Sequence, residues 1–421
     1  MKKNQAKSNK LMFYQRHKLL TIIGVVLLMI ILSLGVWIAV INLQASQFQK
    51  SLDSFYDTSN LNTNGPVGEV MRSEPINENS VEGGSAQRII YRTQKADGTP
   101  TFSSAMVFVP SAPSSGTRRV VAWAHGTLGM GEQCAPSRTE DPVAKISWVN
   151  SMLANGWVVV ATDYAGLGTP GTEAYLIGQA EAHDVLNSVR AARNMPNTGA
   201  GNTFALWGHS QGGHSALFSA SLVSSYAPEL NLVGTVASAP AAELIPLMSQ
   251  QYQQPVSWVI GPEVAISWPA NYPELSINDV LTQPALNNYQ KVAQNCIEEA
   301  ALIGIVRGKL GQQFFTTNLA DVPSWNAVMQ AQTAPTLKPS QPVMIAESLT
   351  DNVVLPNTTA LYIQKACQAG SNLNSLWLTN VNHIQLQSVI SPSVINWIND
   401  RFSGKANSST CNQPLPIAPA Q

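Results

Sequence analysis

Residues 19–41 form a mostly apolar run of 23 positions without one charge. At about 1.5 Å of rise per residue, a helix of that length crosses a bilayer. Beyond it the pattern breaks into short apolar runs of buried-strand type, at residues 119–124, 157–162, 203–207, 232–237, 342–346 and 376–379. Between them lie segments with apolar residues at helical spacing, at 143–155, 180–194, 211–226, 358–369 and 392–402. Strand, helix, strand, helix in that order predicts an α/β fold: a mostly parallel sheet with helices on both faces.

Three stretches depart from this alternation. Residues 88–93 and 103–109 read as a hairpin around the turn Lys95-Ala96-Asp97-Gly98-Thr99-Pro100. Residues 42–84 are polar and rich in Asn, Ser and Gly, which predicts a stalk. Residues 240–335, rich in Pro, Gln and Trp, lack the strand–helix rhythm; falling between two sheet strands, they predict a cap inserted over the carboxyl ends of the strands. The expected organisation is a basic segment at 1–18, a membrane anchor at 19–41, a stalk at 42–84, the α/β domain at 85–412 and a tail at 413–421.

Charge changes the picture at the N-terminus. Lys2, Lys3, Lys7, Lys10, Arg16 and Lys18 precede the apolar run with no acid among them, which leaves 18 basic against 25 acidic residues in the remainder, a net of −7. The basic end is expected to stay in the cytoplasm and the rest to lie outside. Cleavage after Ala45 is the alternative and would release a secreted form, but it sets Leu43 where a small residue is preferred, and signal-peptide apolar regions span only about 7 to 15 residues. The acidic remainder has no footprint for nucleic acid. Cys134, Cys296, Cys367 and Cys411 all fall in the exported part, an even number that predicts two disulfides in one of three connectivities.

Candidate chemistry centres on Gly208-His209-Ser210-Gln211-Gly212, a Gly-x-Ser-x-Gly turn between a strand run and a helix. Such a turn strains the serine and brings backbone so close that only glycine fits at 208 and 212. A serine nucleophile needs a base and a group that orients the base. On this fold they follow in the order acid, then histidine, from loops after later strands. Asp351 lies after the 342–346 strand and His383 after the 376–379 strand; His383 is the one histidine beyond residue 214. Glu347 is a substitute for the acid. His209 is expected to pack beside the turn, His214 to be structural and His183 to be solvated or capping, while Asp163 either lines the site or shapes a turn with Gly166 and Gly168. The N–H of Gln211 and one from His125, Gly126 or Thr127 would hold the oxyanion. Neither metal nor organic cofactor is needed.

These stretches resemble the secretory lipase family of α/β-hydrolases, which includes fungal lipase A and bacterial homologues. The resemblance rests on His125-Gly126-Thr127 followed by Cys134-Ala135-Pro136-Ser137, on Asp163-Tyr164-Ala165-Gly166, on residues 208–214, on Tyr226-Ala227-Pro228-Glu229-Leu230, and on Asp351 with Val354 and Pro356. It implies hydrolysis of carboxylic esters such as acylglycerols, a helical cap, an oxyanion hole from His125 and Gln211, and disulfides Cys134–Cys296 and Cys367–Cys411. Only 38 residues follow His383, fewer than in fungal members, where that segment forms a flap. Acyl transfer to an alcohol on the same fold, and a non-catalytic hydrolase-like binding protein, are the alternatives.

Overall fold

The computed structural model describes residues 2–76, 80–144, 146 and 148–421; within the first helix it describes the side chains of 23, 28–37 and residues from 39 onward. The side chains of the N-terminal basic segment lie outside the described residues. The chain divides into two compact units, residues 1–54 and 55–421.

The first unit is helical. Helix α1 (Lys2–Tyr56) includes a stretch, within Leu28–Tyr56, long and apolar enough to cross a membrane, with a mean hydropathy of 2.1. Its side chains from Leu28 to Trp37 are exposed.

The second unit follows, in chain order, as β1 (Val70–Pro75), β2 (Gly84–Gln94), β3 (Pro100–Pro110), β4 (Arg118–Ala124), α2 (Val149–Ala154), β5 (Val158–Thr162), α3 (Gly178–Asn194), β6 (Ala200–His209), α4 (Gln211–Tyr226) and β7 (Asn231–Ser238). The inserted cap then supplies α5 (Leu244–Gln251), α6 (Ser257–Asn271), α7 (Gln283–Leu286), α8 (Tyr289–Ala293), α9 (Ile297–Lys309) and α10 (Pro323–Ala331). The core resumes with β8 (Val343–Ser348), α11 (Pro356–Gln368), β9 (Leu373–Leu378) and α12 (His383–Phe402).

The described strands make one nine-stranded sheet in the order β1-β2-β3-β5-β4-β6-β7-β8-β9. From β5 to β9 every pair is parallel, and β1 to β3 join antiparallel at one edge. Alternate residues of the central strands feed two apolar cores. Val120, Ala122, Phe204 and Leu206 face one, and Val121, Trp123, Ala205 and Trp207 the other. In the second core Trp123, Trp148 and Trp207 pack edge to face or tilted with centroids 4.9 to 5.2 Å apart.

The structure departs from the sequence expectations in four places. Residues 42–84, expected as stalk, contain the end of α1 and the edge strand β1, whose main chain finds partners on β2. The helix expected over 143–155 is confined to Val149–Ala154; residues 145 and 147 lie outside the described residues. The last helix starts at His383, nine residues before the expected 392, because Asn382 caps it by accepting from the Gln385 N–H and Pro392 is accommodated inside it. The fourth is α3, whose Glu181, His183, Asp184, Asn187 and Ser188 are buried. His183 is only 3% exposed, with its ring stacked on Tyr226, so it is neither solvated nor a cap.

Candidate active site

β6 delivers Ser210 and α4 begins one residue later. Ser210 has φ 60° and ψ −120°, a left-handed conformation that costs about 1–3 kcal/mol and that its surroundings enforce. The Ser210 N–H bonds to Ser238 O of β7, and its carbonyl accepts from the Ala241 and His214 N–H groups. A Cβ on Gly208 would run into the Gly212 carbonyl, and one on Gly212 into the Ala124 carbonyl of β4. The two glycines let the turn close over the end of the sheet.

Asp351 follows β8 by three residues and His383 follows β9 by five. The structure brings both to Ser210: His383 Nε2 is 2.9 Å from Ser210 Oγ, and His383 Nδ1 is 2.6 Å from Asp351 Oδ2. Asp351 is fixed in turn, because its Oδ1 accepts the Val353 and Val354 N–H groups at 2.8 and 3.1 Å. All three residues are at most 8% exposed. Neighbours keep the group uncluttered electrically. His209 packs its ring on His383 at 4.6 Å between centroids, and burial drives its pKa well below the usual histidine value, so it stays neutral. It is Asp351 and not Glu347 that meets His383 Nδ1: Glu347 accepts from Thr359 Oγ1 and the Ser348 N–H, and burial together with the nearby Asp351 pushes its pKa well up.

The loop after β4 crosses directly above the serine. A Cβ on Gly126 would stand 3.1 Å from Ser210 Cβ and from His209 O, a tight approach that a glycine makes easy. The His125 ring is buried beside Tyr164, with Nδ1 2.7 Å from Gly126 O and Nε2 3.3 Å from Asp163 O; any oxyanion contact from His125 or Gly126 therefore has to be a main-chain one. Thr127 turns its hydroxyl to Tyr175 OH at 2.8 Å. Gln211 is the first residue of α4, where the N–H has no acceptor within the helix. Asp163 does not line the site. It lies under this loop, accepting from Ser104 Oγ and from Ser137 Oγ and N–H, and burial raises its pKa.

The same loop is held to the cap. Cys134 is bonded to Cys296 at the start of α9, the Met130 N–H donates to Ala293 O, and the Ile297 N–H donates to Leu128 O. Cys367 of α11 is bonded to Cys411 in the tail. Among the described residues, no group of His, Cys, Asp and Glu is arranged to hold a metal ion.

A model of the secretory lipase family matches residues 136–410. The chain belongs to that family. Lipase A of Moesziomyces aphidis is 24% identical over 404 residues, covering 86% of this chain and 82% of its own. A probable inactive lipase of Mycobacterium tuberculosis is also 24% identical, over 76% of this chain and 74% of its own. Among solved structures, Candida antarctica lipase A in its closed state gives a TM-score of 0.68 at 20% identity, over 84% of this chain and 86% of that one. A rice cell wall degrading esterase from Xanthomonas oryzae gives 0.65 at 18%, over 80% and 98%. The fold is that of the α/β-hydrolases, and this secretory lipase is a carboxylic ester hydrolase of the lipase or esterase type.

Sequence reasoning missed the residues beneath the site. Glu173 and Glu181 both accept from the Gln211 side chain, and Glu181 also meets His214 and Ser215. The signal available was weak: nothing in the pattern around Glu173 and Glu181 marks either as a partner of the serine turn.

Proposed function

We propose that Ser210, His383 and Asp351 are the nucleophile, base and orienting acid of ester hydrolysis, acting on acylglycerols or simpler acyl esters. The observation that carries this reading is the unbroken chain of contacts from Ser210 Oγ through His383 to Asp351. His383 Nε2 removes the Ser210 proton as Oγ attacks the ester carbonyl, and Asp351 stabilises the resulting imidazolium. The tetrahedral oxyanion is held by main-chain N–H groups, that of Gln211 and one from the loop at 125–127. His383 returns the proton to the departing alcohol, which leaves an acyl-Ser210. Water, deprotonated by His383, then releases the carboxylic acid and regenerates the serine.

We further propose that α1 stays attached and anchors the enzyme with its catalytic unit outside the membrane. Exposed apolar side chains from Leu28 to Trp37 suit lipid rather than water. Leu302, Ile305, Val306 and Leu310 make an outward apolar strip on the cap, which suits a lipid substrate.

The test is hydrolysis of p-nitrophenyl esters from acetate to palmitate by the full chain in detergent, beside Ser210→Ala, with fluorophosphonate labelling of both. Activity and labelling confined to the wild type are expected. A wild type that neither turns over esters nor takes the label would sink the reading and group this chain with the relative named as probably inactive.

A further inference from the structure

The first turn of α4 is fastened from below by one carboxylate. Glu181 of α3 accepts from Gln211 Nε2 at 2.9 Å and from the Leu176 N–H at 2.9 Å through Oε1. Through Oε2 it accepts from Ser215 Oγ at 2.7 Å and faces His214 Nδ1 at 3.0 Å. Gln211 and His214 belong to that first turn and Ser215 opens the second. Glu181 is 1% exposed and His214 is fully buried, so the arrangement is fixed by packing as well as by hydrogen bonds. Gln211 Nε2 donates a second time, to Glu173 Oε1 at 3.0 Å.

We infer that Glu181, with His214, positions the oxyanion donor: the pair clamps the Gln211 side chain so that its main-chain N–H points at the reacting carbonyl. The inference rests on the catalytic role proposed for Ser210. Gln211 is therefore more than a residue whose side chain happens to be buried; the clamp sets the orientation of the peptide that carries its N–H.

A bare anion beneath an oxyanion hole would oppose the developing negative charge. The hydrogen inventory removes that objection. His214 Nε2 faces the Gln332 carbonyl at 2.8 Å, which can only accept, so Nε2 carries a proton. One further proton must lie between Nδ1 and Glu181 Oε2. Whichever atom holds it, the pair has no net charge. Glu173 reaches neutrality separately, since burial pushes its carboxyl up to about 8. Gln332 belongs to the cap and also accepts the Gly178 N–H and donates to Tyr272 OH, so the cap completes the clamp.

Four proteins test this, all as full chains: wild type, Glu181→Gln, Gln211→Met, which leaves every carboxyl in place, and the double variant. Each is assayed for kcat and KM on p-nitrophenyl butyrate and for inhibition by a trifluoromethyl ketone, whose adduct with the serine carries an oxyanion. Removing one oxyanion donor typically costs a factor of 10² to 10³ in kcat, and a displaced donor should cost about tenfold or more. Both single variants are expected to lose kcat by that factor, to weaken ketone inhibition by a similar factor, and to keep KM within about twofold. The double variant should be no worse than the poorer single one, because the two residues act as a unit.

Folded variants with kcat and ketone affinity within about twofold of wild type overturn the inference; so does a variant whose kcat falls while ketone affinity holds. If Glu181→Gln does not fold, Gln211→Met decides by the same criteria. A wild type that the ketone does not inhibit points instead to failure of the serine mechanism.

Discussion

Replacing Asp351 by Asn tests the hydrogen-bond logic of the site more sharply than deleting it, because the shape is retained. Asp351 Oδ1 accepts two N–H groups, from Val353 and Val354, while Oδ2 faces His383 Nδ1 at 2.6 Å. An asparagine has one acceptor oxygen, and the two N–H donors claim it; the opposite flip would aim an NH2 at two donors. Its NH2 must then face His383 Nδ1, which has to become the acceptor. The imidazole proton moves to Nε2, where it confronts Ser210 Oγ and cannot remove the serine proton. In serine hydrolases with this arrangement the wrong tautomer lowers kcat about 10⁴-fold, or about 5 kcal/mol of barrier.

The expected outcome for Asp351→Asn is a kcat loss of about that size on p-nitrophenyl esters, with little change in KM and a fluorophosphonate labelling rate reduced in parallel. Glu347→Gln provides the internal comparison, since burial and the nearby Asp351 push the Glu347 carboxyl well up and an amide of the same shape can take its place. It should keep most of the activity. Asp351→Asn within about tenfold of wild type, or Glu347→Gln failing as badly as Asp351→Asn, would refute the assignment of the acid.

Gly208→Ala and Gly212→Ala each push a methyl into a main-chain carbonyl that cannot move aside, so each should cost about 3 kcal/mol or more and lower the thermal midpoint and the yield of folded protein. Cysteine-to-serine pairs should separate two roles. By loop-closure entropy, losing Cys134–Cys296, whose ends are separated by 162 in sequence, costs about 5 kcal/mol, and losing Cys367–Cys411, separated by 44, costs about 4. Only the first holds the loop above Ser210, so kcat measured on the folded fraction should fall in that variant and hold in the other. Stability should also depend on Asp184, whose carboxyl burial raises from 3.8 to about 7. A raised carboxyl pKa means that the folded state binds the extra proton. Its contribution is full below pH 3.8 and is lost as pH rises through about 7. The urea midpoint of Asp184→Asn should accordingly fall less than that of wild type over this window; parallel curves would contradict the sign.

What the sequence disclosed and what it hid divide along a physical line. The central strands were legible because their apolar runs are buried on both faces, and the meeting of Ser210, Asp351 and His383 because the proposed chemistry requires those residue types in that order at strand ends. None of this depends on knowing which residue touches which. The polar side of α3 does depend on it. Glu181, His183 and Asp184 are polar residues on a helix, yet each has partners distant in sequence: Gln211 and Ser215 for Glu181, Lys95 O for His183, and Thr93 Oγ1, 91 residues away, for Asp184. Burying such groups is tolerable only when every bond is made. A one-dimensional pattern therefore records their polarity and leaves out the partners that make burial possible. Residues that perform chemistry are constrained by type and order, whereas residues that aim them are constrained by contact, and contact is what the fold adds.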